Sequence, residues 1–125
     1  FAARLEKLKV DVTHFITTAR AEGKTIYGYG ASTKGNTLLQ YFNITNNDIV
    51  AIAERSPYKW GKKTVGSEIP ICSEEDMRNA QPDYLLVLPW HFVDEFVKRE
   101  RDYLEKGGTI VVPCPQFKLI TKEDL

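Results

Sequence analysis

The chain has little that would commit it to a specialised class. In 125 residues there are two cysteines, Cys72 in an Ile-Pro-Ile-Cys context and Cys114 in Val-Pro-Cys-Pro. Neither has a Cys or His neighbour at metal-ligand spacing. A zinc module or a disulfide scaffold is therefore excluded, no metal site is expected, and both thiols read as small buried hydrophobes of a reducing compartment. Charge of one sign is also lacking: 17 basic and 17 acidic side chains cancel, so no global field draws the chain toward nucleic acid or an anionic membrane, and any anion site must be local. No apolar run approaches the roughly 18 residues needed to span a bilayer, and no signal peptide is recognisable. The expectation is a cytoplasmic protein. Internal repeats and low-complexity segments are absent as well. The length fits a single domain, 1–125, with enough chain to bury a core of its own.

What the chain does have is a glycine-rich turn, Tyr27-Gly-Tyr-Gly-Ala-Ser-Thr-Lys-Gly-Asn-Thr37, set between a strand-like Lys24-Thr25-Ile26 and a helix-like Leu38-Leu39-Gln40-Tyr41-Phe42. In α/β folds this order holds anions. Glycine lets the backbone approach a ligand, and the free N–H groups at a helix N-terminus favour negative charge. The turn matches neither standard nucleotide motif, however. The dinucleotide fingerprint requires glycine where Thr33 stands, and the phosphate loop requires lysine where Asn36 stands. A tight βα turn needing glycine only for steric reasons fits the spacing equally well.

Around this turn, strand-like and helix-like stretches alternate. A lead-in helix over 1–22 has one apolar stripe, Phe1, Leu5, Leu8, Val12, Phe15, Ile16 and Ala19, and ends near Gly23; His14 lies beside the stripe and reads as structural. Strands are expected at 24–29, 49–53, weakly at 69–72 because of Pro70, at 84–88 and finally at 109–112. Helices are expected at 34–42, after the capping residue Ser73, and from Phe92 to Leu104, with Gly107-Gly108 ending the last. A long polar loop fills 54–68. The pattern predicts an α/β, Rossmann-like three-layer fold with a mostly parallel sheet and an N-terminal amphipathic helix. With strand order 3-2-1-4-5, the ligand crevice would lie at the carboxyl ends of the first and fourth strands, where the glycine turn faces Pro89-Trp90-His91.

Three groups near that crevice carry candidate chemistry. Glu54 follows the second strand, about 20 residues past the turn, where dinucleotide-binding domains place an acid on a ribose hydroxyl; a solvated glutamate paired with Arg55 is the plainer alternative. The loop Arg55-Ser-Pro-Tyr-Lys-Trp-Gly-Lys-Lys63 offers four basic side chains for a diphosphate, with Tyr58 and Trp60 able to stack on a ring. His91 is a weak acid/base candidate, because imidazole titrates near neutrality but no catalytic partner accompanies it. Orienting a hydroxyl or capping a helix suits it better. Asp94 and Glu95 beside it would repel an anion, so phosphate should prefer the helix after Gly35.

Taken together, Tyr29-Gly-Ala-Ser-Thr-Lys-Gly-Asn-Thr-Leu-Leu39, Arg55-Ser-Pro-Tyr-Lys-Trp-Gly-Lys62, Val65-Gly66 with Ile69-Pro70-Ile71, Leu88-Pro-Trp-His91 with Glu95, and Gly107-Gly108 through Val112-Pro113 resemble the C-terminal domain of sugar-nucleotide C-methyltransferases. In that family a zinc-binding part and an S-adenosylmethionine-dependent methyltransferase domain precede a Rossmann-like domain. A nucleotide-linked keto-deoxysugar, such as a dTDP-sugar, lies between the last two. The resemblance implies that Gly30, Ser32, Lys34, Gly35 and Asn36, with Thr33 among them, form the substrate-side loop, and that Lys59, Gly61, Trp90 and Glu95 match later motifs. Glu54 stands where aspartate is usual, Trp60 where glutamine is common and His91 where asparagine is common. It further implies that the cofactor is held mainly by an N-terminal methyltransferase domain of the same polypeptide, that these 125 residues are a fragment of it, and that alone they are inactive. Two other readings of the residues stand beside it. One is a self-sufficient domain binding a dinucleotide, coenzyme A or S-adenosylmethionine, and the other is a Rossmann-shaped interaction domain without a ligand.

Overall fold

The computed structural model describes residues 2–31, 33–113 and 117–125, and the side chains of all of these except residues 2–5, 33 and 34. The expectations for Phe1, Ser32 and Cys114, and for the side chains of Leu5, Thr33 and Lys34, lie outside the described residues.

Helix α1 (Ala2–Ala21) buries Leu8, Val12, Ile16 and Ala19, the three- and four-residue steps of the expected stripe, while His14 is exposed. Its end is a Schellman motif. Gly23 takes φ 76°, its N–H donates to Arg20 O at 3.0 Å, and Lys24 N–H donates to Ala19 O at 2.9 Å. The chain then alternates: β1 (Ile26–Tyr29), α2 (Thr33–Tyr41), β2 (Ile52–Glu54), β3 (Ile71–Ser73), α3 (Glu74–Ala80), β4 (Tyr84–Val87), α4 (Val93–Arg99), α5 (Arg101–Glu105), β5 (Thr109–Val112) and β6 (Lys118–Ile120). Ser73 caps α3 as expected, its hydroxyl accepting Asp76 N–H at 3.0 Å.

The strands form one sheet in the order β3-β2-β1-β4-β5-β6, parallel from β1 through β5. Side chains of β4 alternate between two cores, as the period of two requires. Leu86, and Leu88 just beyond the strand, pack with Leu8, Val12 and Ile16 of α1 and Leu39 of α2. Leu85 and Val87 pack with Met77 of α3, Phe96 of α4 and Leu104 of α5. The three-layer, Rossmann-like α/β architecture is thus the one the alternation predicted.

Five local expectations are corrected. Thr109–Val112 is not the last strand: β6 adds an antiparallel edge, pairing Ile110 with Ile120 and Val112 with Lys118. Its three half- or fully exposed residues give no apolar run to read. The second strand starts at Ile52 instead of Ile49, and the third is displaced to 71–73, with Pro70 instead bridging Lys63. The helix expected from Phe92 to Leu104 is two helices, separated at Glu100 with φ −104° and ψ 27°. Phe92 precedes both in a 3₁₀ turn and is 48% exposed, not part of the buried face.

Two buried tyrosines give this fold a defined alkaline limit. Tyr103 Oη donates to Pro82 O at 2.8 Å and Tyr29 Oη to Glu100 Oε2 at 2.8 Å. Burial, joined for Tyr29 by the negative charge of Glu100, raises both hydroxyls well above their ordinary range. Above pH 10 the unfolded chain loses these protons while the folded chain keeps them, so the unfolded state gains. Stability should fall by about 1.4 kcal/mol per pH unit for each tyrosine above pH 10. Urea titrations between pH 9 and 11.5 read the slope, and Tyr103→Phe should flatten it; an unchanged slope in that variant refutes the assignment.

Candidate functional site

The site is built where β1 and β2 end. Gly30 takes φ 88°, a conformation that L side chains rarely adopt, and a Cβ there would lie 2.6 Å from Cδ of Pro89. The turn after β1 and the turn after β4 therefore touch, as the sequence suggested. Beside that contact a pocket of about 170 Å³ remains, bordered by Tyr29, Gly30, Glu54, Arg55 and Pro89. A larger cleft lies toward β2 and β3, on the side of the sheet covered by α2. It has a volume of about 300 Å³ and is lined by Ala31, Asn36, Leu39, Ile52, Lys59, Lys63, Thr64, Val65, Ile71 and Leu88.

This geometry sorts the sequence candidates. Ala31 and Asn36 of the glycine turn and Lys59 of the basic loop line the cleft together. Gly35 is buried in the first turn of α2. Asn36 is half-buried, and its Oδ1 is enclosed without a hydrogen-bond partner among the described residues. Trp90 and His91 do not line the cleft. Trp90 packs against both cores, and the exposed His91 ring sits 4.3 Å from that of Phe92 and 5.4 Å from that of Trp90. Glu95 is exposed on α4, on the other face of the sheet.

Glu54 does not pair with Arg55. Its Oε1 accepts Ala31 N–H at 2.9 Å and its Oε2 accepts Ser56 N–H at 2.8 Å. Lys59 Nζ donates to Ala31 O at 2.6 Å, and Trp60 Nε1–H to the Glu54 carbonyl at 2.7 Å, which fixes a 43% exposed indole beside the cleft. Beyond Trp60 the loop runs alongside β3: Gly61 N–H donates to Ile71 O at 3.0 Å and Ile71 N–H to Lys62 O at 2.8 Å. That pairing brings Lys63 and Val65 to the cleft wall, a placement that the sequence showed only as a polar loop.

On the opposite face lies a charged network that sequence reasoning missed. Glu100, 1% exposed, accepts Arg78 Nε–H at 2.9 Å through Oε1, and Arg78 Nη2–H at 2.5 Å through Oε2, besides the Tyr29 hydroxyl. These bonds raise the Arg78 guanidinium further above its already high range. Glu74 pairs with both Arg78 and Arg99, and Arg99 lies over the rings of Tyr29 and Phe96. A glutamate within a solvent-facing run of charges gives no sequence signal of burial; only the break between α4 and α5 marks it.

Chemically, the cleft combines apolar walls with lysines at its rim, which suits an anion carrying a ring. Among the described residues no group of three or more His, Cys, Asp or Glu side chains could hold a metal, and no histidine–carboxylate hydrogen bond is present. No described helix is long and apolar enough to cross a membrane. Comparison with known proteins identifies a family. Residues 1–115 match the family model described as the C-methyltransferase C-terminal domain. The chain is also 37% identical over 123 residues to the C-methyltransferase NovU of Streptomyces niveus, covering 98% of this chain and 29% of that protein. A parallel sheet, a modified glycine turn and a lysine-rimmed cleft in one chain that matches along almost its whole length lead to one conclusion: the chain belongs to the C-methyltransferase C-terminal domain family.

Proposed function

We propose that this domain holds the substrate of an S-adenosylmethionine-dependent C-methyltransferase, and that the substrate is a nucleotide-linked keto-deoxysugar of the dTDP-sugar kind. The cleft carries the reading: its apolar floor of Leu39, Ile52 and Leu88 suits a ring, and Lys63 at its rim suits a diphosphate. Lys34, which belongs to the first turn of α2, adds a positively charged residue type to this segment. Trp60, its indole oriented by the bond to Glu54, provides a stacking surface.

The same charges argue against S-adenosylmethionine in this cleft, because a sulfonium cation would meet Lys59 and Lys63. In this reading the methyl donor belongs to another part of a longer polypeptide, a methyltransferase domain that closes over the sugar, and the protein works in the cytoplasm. The domain's own task is to bind and orient, and this reading assigns no role to His91, which does not line the cleft.

Isothermal titration of the full polypeptide with dTDP is the direct test. Lys34→Ala should weaken binding about tenfold, the expected cost of losing one charge-assisted contact, and the loss should shrink as salt is raised. Absence of dTDP binding, together with tight binding of NAD, coenzyme A or S-adenosylmethionine to this domain, would replace this reading with the self-sufficient binding domain.

A further inference from the structure

Where β1 and β2 end, their ladder does not. Gly30 N–H donates to Ala53 O at 2.8 Å, and the next amide, Ala31, donates to Glu54 Oε1. The ladder itself uses every second amide of β1, Gly28 and then Gly30, so the carboxylate captures an amide that the ladder leaves out. Its second oxygen holds Ser56 N–H, so one side chain joins the glycine turn to the start of the basic loop. Lys59, from that same loop, closes the circuit by donating to Ala31 O. Ala31 is therefore held by both of its backbone polar groups, one bound by an anion and one by a cation, and Ala31 and Lys59 both line the cleft.

We propose that Glu54 and Lys59 are positioning residues, which clamp Ala31 and thereby fix the separation of the two cleft walls, and that neither contributes by touching the nucleotide-sugar. The proposal rests on the reading of the cleft as a sugar-nucleotide site. A carboxylate whose two oxygens accept backbone amides 2.8 to 2.9 Å away is directed at the protein, not at a ribose hydroxyl. The Lys59 ammonium, 2.6 Å from the Ala31 carbonyl, commits one of its three N–H donors to the same clamp.

Hydrogen exchange of the full polypeptide, read by mass spectrometry on peptides spanning 30–32 and 55–57, tests the clamp without any ligand. Glu54→Ala should speed exchange there by about tenfold; unchanged protection overturns the proposal. Affinity for dTDP, 3′-deoxy-dTDP and thymidine then separates positioning from contact. Glu54→Ala should weaken dTDP and 3′-deoxy-dTDP by the same factor, about tenfold. A loss confined to dTDP identifies a hydroxyl contact and overturns the proposal. Lys59→Met should weaken thymidine and dTDP equally, whereas a loss that appears only with the diphosphate also overturns it. Because both side chains act on Ala31, the double variant should be no weaker than the poorer single variant. If Glu54→Ala does not fold, Glu54→Gln, which keeps one acceptor oxygen, carries the same comparisons with a smaller factor. If the unaltered protein binds none of the three probes, the proposed function fails, and the exchange result alone decides the clamp.

Discussion

Arg78→Met should lower the stability of the domain by about 3 kcal/mol, because it removes the cation from a carboxylate that has no access to water. Glu100 is 1% exposed, and Arg78 supplies two of the three hydrogen bonds that its oxygens accept. Arg99 does not substitute, since it pairs with Glu74 and lies over Tyr29 and Phe96. The cost arises from stranding Glu100, not from losing a surface ion pair: Arg78 itself is 43% exposed and would contribute little in isolation. The double variant Arg78→Met/Glu100→Gln should therefore recover part of the loss, whereas independent sites would add. Urea unfolding followed by circular dichroism measures all three. A single-variant loss below about 0.5 kcal/mol, the range of ordinary surface substitutions, would show that the network does not support the fold.

Gly30→Ala should act on both stability and the site. The residue sits at φ 88°, and the added methyl would meet the ring of Pro89 at 2.6 to 2.7 Å. A proline ring cannot rotate aside, so the backbone after β1 or β4 has to shift. Left-handed strain and overpacking together should cost about 3 kcal/mol and lower Tm by roughly 10 °C. Gly30 N–H bonds to Ala53 O and its neighbour Ala31 lines the cleft, so the shift passes directly into the binding wall. Calorimetric melting, with dTDP titration below Tm, separates the two effects. A variant with wild-type Tm would mean that the Pro89 contact yields easily.

The layers and sheet order were legible because each rests on a local pattern. Ile26, Leu85, Leu86 and Ile110 belong to short apolar runs, and runs buried on both faces can only be central parallel strands. Ser73 and Gly23 marked helix ends because capping chemistry is local too. β6 was not legible, since Lys118-Leu119-Ile120 becomes a strand only by pairing with β5. Within the site, the sequence brought Asn36 and Lys59 to one place, where both line the cleft against Leu88. Strand order puts a crevice between β1 and β4, and a pocket does lie beside Gly30 and Pro89, but the larger cleft on the α2 side depends on the returning loop and had no sequence signal. Glu54 shows the same boundary from the other side. Its distance from the glycine turn is right for a ribose ligand, but what a carboxylate binds depends on which amides a returning loop presents to it. Glu100 was lost among neighbouring charges for an equivalent reason: its partner lies 22 residues away on another helix.

The pairing of residues 61 and 62 with Ile71 has a bearing on how the molecule stays dispersed. β3 is the outermost strand on its side of the sheet, and an uncovered margin there would offer hydrogen bonds to any passing chain. The segment that walls the cleft satisfies those groups, so the binding wall and the sheet's protective border are the same stretch of backbone. Lengthening or loosening it to admit a larger ligand would therefore uncover a sticky edge, and selection for solubility restrains how far the specificity of this domain can drift.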